Sequence, residues 1–321
     1  MRKDHFKRLL TSLDGLSVAQ LDELTQAVQK QYSAVHATKA VEEARPLAWC
    51  LHCGSESVVK NGTNRGLQRY RCKDCKRSFN ATSKTSLSKL RHKDRFLAQA
   101  ECLAKGLSVR ATAQELDVAV STAFRWRHRF LKDVVSQQPK QVHGMLEADE
   151  TYFLESQKGN RHLARPARHR GGRAKKRGLS KELVPVLVGR LRGQPHIADK
   201  VLAKMNGAEL LGALKGVVGQ DTLLCTDGNS AYLRIQRELG VPVKSVATSW
   251  NGPVLDKIYH VQTVNSYHER LKTWIQRDLR GVATKYLPNY LAWMRVLEWF
   301  KAGVKPEHFI ASALGHQLIN A

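Results

Sequence analysis

The sequence lacks any apolar run of about eighteen residues or more, the length a membrane-spanning helix needs. Its first residues, MRKDHFKRLL, are charged and hold no apolar signal core, so a soluble cytoplasmic protein that does not enter the membrane is expected. Cysteine is scarce, six in 321 residues, which excludes a small fold stapled by disulfides. Acidic residues are also scarce, with 28 Asp and Glu against 53 Lys and Arg, a formal charge of +25. Such an excess suits a polyanion, most simply nucleic acid, although an anionic membrane surface would satisfy it too. The 42% of hydrophobic residues supports buried cores, and the length allows about two or three domains.

The basic excess is segmental. Residues 1–48 hold 7 basic and 6 acidic residues, 49–88 hold 8 and 2, 89–140 hold 11 and 5, and 157–183 hold 10 and 1. Everything else from Gln141 onward holds 17 and 14. The expected organisation is therefore an N-terminal segment (1–48), two basic segments (49–88 and 89–140) and a near-neutral globular region (141–321) with one basic insertion at 157–183. Several separate DNA contacts would explain that pattern.

In the first segment Phe6, Leu9, Leu10 and Leu13 follow helical spacing until Gly15 breaks it. A second, short helix is expected after Ser17, which with Gln20 forms a capping box; Leu16 can staple against Leu21, and Leu24 and Val28 continue the apolar face. Packing or self-association accounts for this pair of helices better than DNA contact.

The sharpest local pattern is Cys50-x2-Cys53, eighteen residues, then Cys72-x2-Cys75. Two such knuckles can bring four thiolates to one tetrahedral Zn²⁺, at about 2.3 Å each. Gly54, Asn61, Gly62 and Gly66 supply turns, and Gln68 to Arg71 read as a strand entering the second knuckle, so the segment is expected to be a zinc ribbon. Two disulfides are disfavoured in a reducing compartment, and a redox CxxC needs no second copy. Cys102 and Cys225 sit in apolar surroundings and are expected to pack.

Leu107 to Leu131 read as a helix-turn-helix: a first helix with Val109, Ala111, Ala113 and Leu116, a turn at Asp117-Val118, and a second helix capped by Ser121 or Thr122. The second helix carries Arg125, Arg127 and Arg129 as candidate DNA contacts, with Phe124, Trp126 and Phe130 for its buried side. An ordinary basic helical hairpin is the alternative. In the insertion, Lys175, Lys176 and Arg177 are the candidate DNA contacts of a glycine-rich clamp, against the alternative of a merely solvated loop.

The C-terminal region reads as alternating strands and helices. Met145 to Phe153 is a strand whose Glu147 and Asp149 share a face at period two, a pair that is either buried for a task or solvated on an edge strand. Leu183 to Leu191 and Thr222 to Cys225 read as further strands, Ala208 to Val217 and Ser230 to Leu239 as helices. Asp227 follows the strand at Cys225, where α/β sheets place their chemistry, although a plain Asp-Gly turn would use the same residues. A helix over Val264 to Gln276 sets Asn265 and Lys272 two turns apart on one face. Two strand-borne carboxylates, an oxygen ligand and a lysine together suit two-metal phosphoryl transfer with Mg²⁺.

The order of ribbon, helix-turn-helix, Glu147 to Tyr152 (EADETY), Thr226 to Tyr232 (TDGNSAY) and His260 to Asn265 (HVQTVN) followed by Leu271-Lys272 resembles the bacterial insertion-sequence transposases of the DDE superfamily. The resemblance implies an α/β, ribonuclease-H-like catalytic core behind the zinc ribbon and the helix-turn-helix. It implies Mg²⁺- or Mn²⁺-dependent cleavage at the element ends, strand transfer into target double-stranded DNA, and a homo-oligomer on paired ends. Asp149 and Asp227 would be metal ligands, Asn265 would stand at the third position where most of the superfamily has Glu, and Lys272 would match the lysine that follows. Glu269, one turn beyond Asn265, is an alternative acidic ligand. A catalytically decayed transposase or a DNA-binding regulator is the rival function.

Overall fold

The computed structural model describes residues 2–169, 171–176, 178, 180–246, 252 and 254–319. The chain begins with helices α1 (Lys3–Thr11) and α2 (Val18–Ala44). The capping box forms as expected, with Gln20 N–H on Ser17 Oγ at 3.4 Å and Ser17 N–H on Gln20 Oε1 at 2.9 Å. The second helix is not short: it runs 27 residues, because neither glycine nor proline interrupts the chain before Pro46. Only its far end packs, through Ala37 and Val41, while Val28, Tyr32 and Val35 stay exposed.

A three-stranded antiparallel sheet follows, in the order β1 (Val58–Asn64), β2 (Leu67–Cys72), β3 (Ser78–Phe79). Its first turn rests on α2. Gly66 has φ +80° there and a Cβ would come within 3.0 Å of Thr38 Cγ2, so both the backbone and the close approach require glycine. Next come α3 (Phe96–Ala104), α4 (Val109–Glu115) and α5 (Val120–Leu131). Asp117 adopts φ +47° in the turn between the last two. The caps differ from expectation: Ser108 accepts from Ala111 N–H at 3.2 Å to cap α4, whereas α5 starts at Ala119 with no side-chain cap, which leaves Ser121 and Thr122 inside its first turn.

The central sheet has the order β6-β5-β4-β7-β8, from β4 (Val142–Leu154), β5 (Leu183–Leu191), β6 (Ile197–Val201), β7 (Val218–Thr226) and β8 (Val243–Ser245). The first three are antiparallel neighbours, while β7 lies parallel to β4 and β8 parallel to β7. Helices α6 (Gly207–Leu214) and α7 (Leu233–Leu239) cover one face, where Leu146, Ala148, Leu210, Leu224 and Ile235 share a core. The other face holds α8 (Gln262–Thr273) and α9 (Leu287–Trp299), with Val186, Val188, Tyr267, Leu271 and Trp293 in its core. This is the ribonuclease-H-like arrangement that the resemblance implied. β4 is its central strand, so the edge-strand alternative for Glu147 and Asp149 falls away.

The second core does not stop at the sheet. It continues through Val41, Leu67, Phe96 and Phe130 to Phe309 of α10 (Pro306–Ala313). Polar bonds cross with it: Trp293 Nε1–H donates to Leu103 O at 2.9 Å, and Ser86 Oγ–H to Ala313 O at 2.9 Å. The buried Arg295–Asp199 pair joins α9 to β6, and Arg295 also donates to Val134 O at 3.0 Å. The helix-turn-helix is thus welded to the sheet's helical layer rather than tethered to it.

Candidate active site

Strand register brings the carboxylates together. The β4–β7 ladder ends with Glu147 opposite Cys225, so the chain two residues further on sets Asp149 beside Asp227, just beyond the last residue of β7. One ligand oxygen from each of Asp149, Glu150 and Asp227 lies within 4.8 Å of the others. Asp227 is held in a tight turn by Asn229 N–H at 3.1 Å, and Asn229 Oδ1 then accepts from Ala231 N–H at 3.0 Å. Asp149 accepts from Glu150 N–H at 2.8 Å, and His268 Nδ1 stands 3.7 Å away on α8.

Burial and the neighbouring Asp227 push the Asp149 carboxyl up to about 6, against the opposing pull of the Glu150 N–H and Lys272. Burial also lifts Glu150 to about 7; the Tyr232 hydrogen bond opposes the rise, and Asp149 and Asp227 add to it. His268 is driven down to about 4 by burial and by the Lys272 charge, so it is neutral at physiological pH. Such a cluster accumulates negative charge that a divalent cation would relieve, and hard carboxylate oxygens are the ligands Mg²⁺ and Mn²⁺ take.

Glu147 has a different role. It is fully buried and accepts from the first N–H groups of α8, Thr263 at 2.8 Å and Val264 at 3.1 Å, as well as from Thr263 Oγ1 at 2.9 Å. Arg192 pairs with it at 2.8 Å and also holds Ile258 O and His260 O, at 2.8 and 3.1 Å. A carboxylate at a helix N-terminus meets unpaired N–H groups and the positive end of the dipole. Glu147 therefore fixes where α8 starts and how it is turned. The face so presented carries Asn265, His268 and Lys272 at i, i+3 and i+7. Asn265 is exposed, and Glu269 is exposed too, accepting from Thr273 Oγ1 at 3.5 Å and standing outside the acidic cluster among the described residues.

The four ribbon thiols converge as their spacing foretold. Cys50 and Cys75 Sγ are 3.6 Å apart, Cys53 and Cys72 Sγ 3.7 Å. A disulfide needs about 2.05 Å, whereas four sulfurs each about 2.3 Å from one ion have edges of about 3.8 Å. Backbone N–H groups of Cys75 and Asp74 help push the Cys72 thiol down to about 6, toward the thiolate a cation binds. The donor set suits Zn²⁺. Cys102 and Cys225 are both buried, as expected.

Residues 141–295, which include every acidic group of the cluster, match the family of the ISXO2-like transposase domain, and residues 89–133 match the homeodomain-like domain. A protein of Halobacterium salinarum described as an uncharacterized protein in transposable element ISH50 is 30% identical over 248 residues, 76% of this chain and 82% of the relative. The chain belongs to the ISXO2-like family of DDE-type insertion-sequence transposases. Both matched domains imply DNA as the transposase's partner, and no helix among the described residues is long and apolar enough to cross a membrane.

The transposase does not offer DNA all the arginines its sequence suggested. Arg127 is a correction: it is 1% exposed, donates to Leu107 O at 2.6 Å and Thr112 Oγ1 at 3.1 Å, and lies 4.6 Å over the Trp293 ring. It joins α5 to α4 and α9 and cannot reach a base. Arg129 is half-buried and donates to Ser86 O and, at 2.8 Å, to Ser88 O, which makes it a brace for the segment before α3. Arg125 is exposed. In the insertion Lys175 and Lys176 are exposed, and Arg177 lies outside the described residues. The base of the insertion is tied by Arg165 to Glu155 at 2.8 Å and by Arg168 to Glu182 at 2.8 Å, so part of its charge is spent internally. Sequence reasoning missed Glu150, Tyr232 and His268; the signal for Glu150 was its place next to Asp149, past the point where β4 loses its β7 neighbour.

Proposed function

We propose that this transposase binds the ends of its insertion sequence and catalyses Mg²⁺-dependent DNA strand cleavage followed by strand transfer into target DNA. The observation that carries the reading is the meeting of Asp149 and Asp227 at the open end of the central strands, beneath a helix that carries Lys272. Bound Mg²⁺ or Mn²⁺ would neutralise charge on the scissile phosphate and lower the barrier to attack by water or a 3′-hydroxyl. Asp149 and Asp227 would hold the ions, and Asn265 lies on the same helix as His268, which stands beside Asp149. Lys272 offers its ammonium to the scissile phosphate. Glu147 keeps α8 and both of these residues in register, and neutral His268 packs beside Asp149 without adding charge.

The division of labour follows the chain: helices in 1–48 for self-association, a zinc ribbon in 49–88 and a helix-turn-helix in 89–140 for the element ends, and catalysis in 141–321. Arg125, Lys175 and Lys176, exposed on separate elements, supply phosphate contacts. A homo-oligomer on paired ends is supported by α1 and the part of α2 before Ala37, where Phe6, Leu9, Leu10, Val28, Tyr32 and Val35 are exposed. The test is strand cleavage and joining on DNA carrying the ends that flank the gene, with Mg²⁺ or Mn²⁺, comparing the wild type with Asp227→Ala. Metal-dependent products lost in the variant support the reading; end binding with no products from either protein would sink it in favour of a decayed transposase or a regulator.

A further inference from the structure

We propose that Glu150 supplies the third metal-binding carboxylate of the active site, filling the acidic role that the neutral Asn265 leaves open. The inference rests on the reading of Asp149 and Asp227 as metal ligands and names the residue that completes their set. Three observations carry it.

The first is position. Alternation along β4 sends Leu146 and Ala148 to the face covered by α6 and α7, and Glu147 and Asp149 to the face covered by α8. Glu150 belongs by parity to the α7 face and would ordinarily be kept from Asp149 by the sheet between them. The β7 neighbour, however, stops at Thr226. Past that point the side of β4 toward β7 is open, and a Glu150 oxygen comes within 4.8 Å of ligand oxygens on both Asp149 and Asp227.

The second is how Glu150 is held. Tyr232, 1% exposed, donates its hydroxyl to Glu150 Oε1 at 2.5 Å. Tyr232 belongs to the same TDGNSAY segment that delivers Asp227, so one short stretch after β7 supplies a ligand and orients its neighbour. The bond fixes the side chain through Oε1, the Asn229 side chain is a second hydrogen-bond partner, and a carboxylate's two oxygens keep lone pairs beyond these two bonds for a cation.

The third is charge. In a chain with 53 Lys and Arg against 28 Asp and Glu, no Lys or Arg among the described residues lies within 4.0 Å of a carboxylate oxygen of Asp149, Glu150 or Asp227. The nearest basic group is His268 at 3.7 Å from Asp149. With Asn265 neutral, Asp149 and Asp227 alone bring two negative charges to the ions; Glu150 restores the third. Glu269, the other acidic candidate, is absent from the cluster.

The experiment is Mn²⁺ binding by the full-length chain with its ribbon zinc retained, followed by the loss of the free-ion EPR signal, with DNA absent. Glu150→Gln keeps an acceptor for Tyr232 and removes only the charge. It should weaken Mn²⁺ binding tenfold or more, as should Asp227→Asn, and by more than Asn265→Ala does, while Glu269→Gln changes it less than threefold. Glu150→Asp, which restores the charge one methylene short, should recover part of the loss. Melting without metal checks the fold of each variant, and Tyr232→Phe, which frees Glu150 without removing it, gives a second route if Glu150→Gln is unstable: it should weaken binding by a smaller factor. Wild-type Mn²⁺ affinity in folded Glu150→Gln, with the loss found in Asn265→Ala or Glu269→Gln, would overturn the assignment of Glu150 alone. Unchanged binding in Asp149→Asn and Asp227→Asn as well would overturn the metal site itself.

Discussion

The thiol cluster and the carboxylate cluster are both groups of side chains that repel or waste one another until a cation arrives, yet they are built in opposite ways. The four cysteines come from two local knuckles on one small sheet, sit at near-tetrahedral separations and would by themselves fill the four positions of a tetrahedral ion. The carboxylates come from two strands, face a helix supplied by a third stretch of chain, and include the exposed Asp227. A closed donor set suits a structural ion and an open one a catalytic ion, because only the open one has room for substrate. The contrast also explains Glu147. Two residues from Asp149, it has every lone pair committed to Arg192 and α8, whereas Asp149 is left with one backbone N–H and a distant histidine.

Removing a carboxylate should act on chemistry and removing a thiol on structure. Asp149→Asn or Asp227→Asn is expected to lower cleavage by about a thousandfold or more in a gel assay, with DNA-end binding kept; a mild loss would erase the distinction. Cys72→Ser should abolish stoichiometric zinc by metal analysis and weaken end binding by about a hundredfold, since the ribbon lacks the core to fold unaided. Glu147→Ala should lower cleavage by about ten- to a hundredfold by freeing α8, with Glu147→Gln in between because its amide oxygen still caps Thr263 and Val264; equal loss in both would mean that charge, not capping, is its role. The arginines of α5 sharpen the same point on the DNA side. Arg127→Ala is expected to lower the Tm by about 4 °C, whereas Arg125→Ala should keep the Tm and reduce the salt slope of DNA binding by about 0.9, one phosphate contact.

The smallest effect is in pH. Asp149 has a folded-state pKa raised from 3.8 to about 6, so its protonated form favours the fold. That contribution is complete below pH 3.8 and is lost as pH rises toward about 6, leaving the metal-free site strained by repulsion above it. Asp227→Asn removes the repelling neighbour. By calorimetry without divalent ions it should raise the Tm by about 2–4 °C at pH 8 and by nothing at pH 4. A Tm gain that is the same at both pH values would show that repulsion is not the cause.

Much of this could be read from residues in order. The knuckles, the capping box at Ser17 and the strand Leu183 to Leu191 depend on neighbours within a few positions, and all three appear in the structure as read. The misreadings share one cause. Arg127 looks like a DNA contact until Trp293, far along the chain, covers it. The α2 helix looked short because its apolar face was followed only to Val28, and Glu150 was missed because its parity sends it to the opposite face of β4 from Asp149, a separation lifted only where β7 ends.

By itself the sequence determined the local chemistry: which segments form helices and strands, which four thiols meet, and which acidic residues stand at strand ends, because spacing and short-range bonding decide these. The tertiary structure alone decided which charges are spent on architecture and which are left for function. A carboxylate's or a guanidinium's role depends on desolvation and on partners brought from distant segments, and no local pattern encodes either.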